Sequence, residues 1–125
     1  MKILLVDLSA VFWRNWHATK DQEIGEAFAL TVGTINSKRH GYDYCAVCCD
    51  HAPYKRKAIS AIYKAQRDTP DPAAVDQLRR VKERLASDGL LLWDALGYEA
   101  DDIIATAYEL IGAQYPESHI DILTR

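Results

Sequence analysis

Apolar residues gather in short runs separated by longer stretches in which they recur every three or four positions. KILLV at residues 2–6, YCAVCC at 44–49, LLLW at 90–93 and HIDILT at 119–124 read as strands. Strands this apolar fit a sheet covered on both faces. With helical periods between them, the pattern predicts one α/β domain over residues 1–125, a mainly parallel central sheet flanked by helices. Ser9 is placed to cap a first helix that carries Val11, Phe12, Trp13, Trp16 and His17. A second, from about Ile24 to Lys38, presents Ile24, Phe28, Thr31, Val32 and Ile35 inward, with Gly41 ending that region. A basic helical stretch from Pro53 to Gln66 leads into DTPDP, where Asp71 before Pro72 has the cap and first-turn arrangement of a helix reaching Ser87, with Gly89 just beyond. A last helix begins at Gly97 and turns Ile103, Ile104, Ala107, Leu110 and Ile111 inward.

The overall charge of -3 conceals an uneven distribution. Residues 51–84 carry nine basic and four acidic side chains, whereas 85–125 carry one and eight. A basic middle suits a polyanion and an acidic end suits cations, although charge runs of this length also occur as solvated helix faces. No run approaches the ~18 apolar residues of a membrane span, and MKILLVD reaches an acid too early for a signal peptide, so a cytoplasmic protein is expected. Cys45, Cys48 and Cys49 include one C-x-x-C spacing without a second pair, which favours buried thiols acting as small hydrophobes over redox or zinc chemistry.

Two of the strands end in a carboxylate, Asp7 and Asp50, and parallel strands deliver both to the edge where open α/β sheets bind ligands. Glu99, Asp101 and Asp102 crowd the start of the last helix. One acid there can simply oppose the helix dipole. Three beside two strand-end acids call for a hard cation, and an all-oxygen set suits Mg²⁺ or Mn²⁺. Such an ion activates water against a phosphodiester, helped by a second ion about 3.5–4 Å away. A phosphoenzyme is the competing use of a strand-end Asp, but a dehalogenase-like site would want a second Asp two positions on, where Ser9 stands. On a helix, Arg56, Lys64 and Arg67 share a sector about 80° wide with Ser60, a face fitted to phosphate. Tyr63 beside it serves either core packing or stacking on a base. His17, alone on an aromatic helix, suits packing or capping rather than metal ligation.

LLVDLSAVFWRNWHA, CCDHAPYKRKAISAIYKAQRDTP, GYEADDIIAT and DILTR follow one another in the order of the 5'-nuclease family. The chain resembles the 5'-3' exonuclease domain at the front of bacterial DNA polymerase I and the phage flap endonucleases. That resemblance implies a PIN-like core and divalent-metal hydrolysis of DNA near a 5' end or at a 5' flap. It implies metal roles, direct or through water, for Asp7, Asp50, Glu99, Asp101 and Asp102, and phosphate-facing catalytic roles for Arg56, Lys64 and Arg67. In the family the strand matching ILT leads into an Asp-rich segment that supplies further ligands, so the chain reads as the N-terminal part of a longer nuclease. The alternative is a catalytically incomplete nucleic-acid-binding module that has the first acid set and lacks the second.

Overall fold

A computed structural model describes residues 1–19, 25–51 and 71–124. The basic stretch Pro53–Gln66, with Arg56, Ser60, Tyr63 and Lys64, lies outside the described residues, as do Arg67 and Ile24. Strands β1 (Lys2–Asp7), β2 (Tyr44–Cys48), β3 (Leu91–Trp93) and β4 (His119–Leu123) form one sheet in the order β3-β2-β1-β4. All three pairings are parallel, as the uniformly apolar runs predict. Helices α1 (Leu8–Thr19), α2 (Glu26–Arg39), α3 (Pro72–Ser87) and α4 (Ala100–Gln114) connect and cover the strands.

Alternation along β1 feeds two cores. Leu4 and Val6 pack with Phe12, Ile35, Val81 and Leu85 of α1, α2 and α3, while Ile3 and Leu5 join Ala100, Ile104 and Ala107 of α4 on the other face. The same alternation parts the cysteines. Cys45 and Cys49 belong to the first core and Cys48 to the second, so the C-x-x-C spacing makes no pair. Burial raises the Cys48 thiol to about 12 and the Cys49 thiol to about 11, which keeps both as neutral packing groups. Trp13 and Trp16 sit half-buried against Phe12. His17 is exposed beside Trp13.

Several helix boundaries depart from the sequence expectation. The cap of α1 is Asp7, whose Oδ1 accepts the Ala10 N–H at 3.1 Å, and Ser9 lies inside the first turn. Helix α4 begins at Ala100 and not at Gly97, because Gly97 adopts φ 87° in the preceding turn. Leu110 is 59% exposed, since small Ala residues bring α4 against the sheet along a stripe too narrow to include it. The Asp71–Pro72 start is as expected: the Asp71 carboxylate accepts the Ala73 N–H at 2.8 Å. Among the described residues no helix is long and apolar enough to cross a membrane.

Helix α2 has no side-chain cap of its own, because Gly25 occupies its N-cap in a left-handed conformation. Its exposed Phe28 N–H is satisfied from α3, where the buried Gln77 Oε1 lies 3.2 Å away. Among the described residues Gln77 is the acceptor for that amide, so Gln77→Leu should lower stability by about 1–3 kcal/mol, whereas Gln77→Glu keeps an acceptor there. Urea unfolding checks this: the Leu variant should shift the midpoint downward with the slope unchanged, and a parent-like midpoint would contradict the tertiary cap.

Candidate active site

Asp7 is the last residue of β1, opposite Cys48, and Asp50 follows two positions later on the neighbouring strand. Both acids thus reach the C-terminal edge of the sheet. Asp7 is only 7% exposed, and burial raises its carboxyl to about 6. The Ala10 N–H opposes that rise. A hydrogen bond with the Asp101 carboxyl and the charges of Asp101 and Asp50 push further upward. Asp7 therefore stays protonated to a higher pH than an isolated carboxyl would.

The start of α4 is tied to the end of β2. Asp50 Oδ1 accepts the Ala100 N–H at 2.7 Å, leaving Oδ2 outside that bond. Glu99 and Asp102 form a reciprocal capping box, in which Asp102 Oδ2 lies 3.3 Å from the Glu99 N–H. The five acids named from the sequence thus divide by role. Asp7 and Asp101 face each other, Asp50 joins strand to helix, and Glu99 and Asp102 fix the helix start. Among the described residues no three ligating side chains are gathered closely enough around one point to hold a metal ion.

The Asp7–Asp101 pair opens onto a cavity of about 440 Å³ that is also lined by Tyr108, Glu109, Ile122 and Thr124. The sequence reading passed over Tyr108 and Glu109, although their spacing from Asp101 on one helix places them along the same face. A larger cavity of about 530 Å³, mostly apolar and lined by Trp93, Tyr98, Ile103 and Leu110, does not border Asp7 or Asp101. The donor set at the first cavity is carboxylate oxygen, and it places the buried Asp7 beside the like-charged, exposed Asp101. Both features fit a hard divalent cation, whose charge relieves the repulsion that raises Asp7.

Without a cation, the ionised Asp7 destabilises the fold. Its folded value near 6 exceeds the ordinary 3.8, so the stabilisation gained by protonation is complete below 3.8 and disappears as pH rises through 6. Asp7→Asn keeps an oxygen for the Ala10 N–H and removes the charge. In chelator-treated protein at about pH 7.5 this variant should melt roughly 3–8 °C above the parent, with the gap closing near pH 4. Equal melting temperatures at both pH values would contradict the charge pair.

A family model described as the 5'-3' exonuclease, N-terminal resolvase-like domain matches residues 2–125. The chain is 30% identical over 135 residues to a 5'-3' exonuclease of Bacillus subtilis, covering 98% of this chain and 45% of that protein. It is 27% identical over 115 residues to DNA polymerase I of Borreliella burgdorferi, covering 84% of this chain and 13% of the relative. Its fold matches a bacteriophage T5 flap endonuclease solved as a pseudo-enzyme-product complex with DNA and metal ions, with TM-score 0.61 and 21% identity over 96% of this chain and 48% of that one. A T5 protein co-crystallised with metal ions gives TM-score 0.66 at 22% identity with the same coverage. The chain thus spans less than half the length of each of these proteins. The parallel sheet, the acids at its C-terminal edge and the match over residues 2–125 together make the chain a member of the 5'-3' exonuclease N-terminal domain family.

Proposed function

We propose that this chain hydrolyses DNA phosphodiester bonds at 5' ends or 5' flaps with the help of Mg²⁺ or Mn²⁺. The observation that carries the reading is the Asp7–Asp101 pair, a buried carboxylate held protonated to about 6 beside a second acid at the sheet edge. These two would hold the ion, and Asp50, whose Oδ1 accepts the Ala100 N–H, would contribute through water. Glu99 and Asp102 keep the helix start in place and contribute through water. An ion bound there supplies Lewis acidity to a phosphate oxygen and lowers the pKa of attacking water. Arg56, Lys64 and Arg67 provide the phosphate contacts, with Lys64 next to the charge that builds during attack. The T5 complex with DNA and metal ions supports DNA as partner and a metal ion as cofactor.

The test is single-turnover cleavage of a 5'-labelled flap in Mg²⁺, paired with DNA binding in Ca²⁺. The parent should cleave. Asp101→Asn and Lys64→Ala should each lower the saturated rate by ~10²-fold or more while much of the binding remains. Unchanged saturated cleavage in Lys64→Ala, with weaker and less salt-dependent binding, would reduce that lysine to a phosphate anchor. DNA binding by the parent without cleavage would favour the incomplete binding module.

A further inference from the structure

Parallel register places Asp7 in a row that crosses three strands. Asp7 lies opposite Cys48, and Cys48 lies opposite Trp93. Cys48 and Trp93 both pack in the core shared with α4, the face to which alternation along β1 also turns Asp7. At the usual spacing of neighbouring strands, the Trp93 backbone is thus about 10 Å from that of Asp7 along one sheet edge. The half-buried indole forms a wall of the 530 Å³ cavity between the segment after β3 and α4. Tyr98 forms another wall, and Ile103 and Leu110 line the helix side, with Leu110 59% and Tyr98 39% exposed. This cavity is continuous with the acid site through the helix start, because Asp102 borders it and the preceding residue, Asp101, borders the cavity of Asp7. Among the described residues its lining holds two acids, Asp94 and Asp102, and neither lysine nor arginine. A phosphate is repelled there. A flat uncharged ring with N–H groups at its edge meets aromatic walls and the oxygens of Asp94 and Thr106.

We infer that the Trp93–Tyr98 cavity is a subsite for one unstacked nucleobase of the DNA strand whose phosphodiester is held at Asp7 and Asp101, and that the base stacks on Trp93. The inference rests on the nuclease reading above and deepens it, since a base seated here fixes the strand next to the bond to be cut. Trp93 is then a specificity-determining residue that favours a nucleotide free of its duplex stack. Stacking on an aromatic ring accepts every base, because each has a π face, so the subsite reads strand state rather than sequence.

The probes are 5'-flap oligonucleotides carrying an abasic residue or 2-aminopurine at one position at a time on either side of the scissile bond. They are bound in Ca²⁺ to the parent, Trp93→Phe, Trp93→Leu and Thr106→Phe, the last filling the cavity from an exposed helix position without removing the indole. At one position beside the cut, the abasic residue should weaken binding by the parent about tenfold, the scale of one stacked base, and 2-aminopurine there should be quenched. Trp93→Leu and Thr106→Phe should bind the unmodified flap about tenfold more weakly, should no longer distinguish base from abasic residue, and should leave 2-aminopurine bright. Trp93→Phe should keep most of the affinity and of the distinction. Binding by the parent that no abasic position alters, or an abasic penalty unchanged in Thr106→Phe and Trp93→Leu, would overturn the subsite. Cleavage of the unmodified flap in Mg²⁺ is scored separately. A parent that shows the abasic penalty and the quenching without cleaving would count against hydrolysis and still support the base subsite, whereas one that cleaves with no abasic penalty would do the reverse. A parent that does not bind the flap would overturn both.

Discussion

A strand buried on both faces has nowhere to place a charge except at its end, and here that end is Asp7. Leu5 and Val6 are fully enclosed, and the carboxylate that follows them stays 7% exposed, within reach of a second acid on α4. Burial of one carboxyl beside a like-charged one thus links the folding of the sheet to the chemistry of its edge. The Ala10 N–H offsets part of the cost, and in doing so makes the same carboxylate the cap of α1. A cation at this edge relieves the remainder, so that what weakens the metal-free fold is what gives the site its affinity.

The surrounding structure holds that edge in register by hydrogen bonds between elements distant in sequence. Asp50 caps α4 from the adjoining strand, Gln77 caps α2 from α3, and the His51 backbone seizes the Gly97–Tyr98 turn. At the opposite edge Tyr42 donates to Asp121 of β4, and His119 lies 2.9 Å from the same carboxylate. The acids are thereby set by backbone positions rather than by flexible side-chain pairing. This distinguishes them from the exposed Asp76–Arg79–Glu83 ladder on α3, which faces water and contributes little to stability.

How much of this the sequence disclosed follows from how local each signal is. Strands β1 and β2 were legible because their burial leaves mostly apolar residues between their ends, the edge strands β3 and β4 as short runs rich in Leu and Ile, and the Asp71–Pro72 start of α3 because cap and first turn are adjacent. The strand-end position of Asp7 and Asp50 was legible for the same reason. The cap of α1 was misplaced by two residues, since Asp7 and Ser9 are both good capping residues and only the turn decides between them. Leu110 was turned inward because helical spacing gives the direction of the apolar stripe and not its width. The ties from Gln77 to Phe28 and from Asp50 to Ala100 cross about fifty residues, and no local pattern marks them. The division of the five acids into a facing pair, a strand–helix link and a capping box depends on those ties, and so it emerged only from the fold.

The central claim is that burial, with Asp101 alongside, raises the Asp7 carboxyl to about 6 and that a divalent cation reverses the rise. Carboxyl-carbon NMR of Asp7 across pH, first in chelator and then in saturating Mg²⁺, measures it directly. The account predicts a midpoint at about 6 without the ion and a fall to or below the ordinary 3.8 with it. A midpoint already near 3.8 in chelator, or one near 6 that Mg²⁺ does not move, would contradict it.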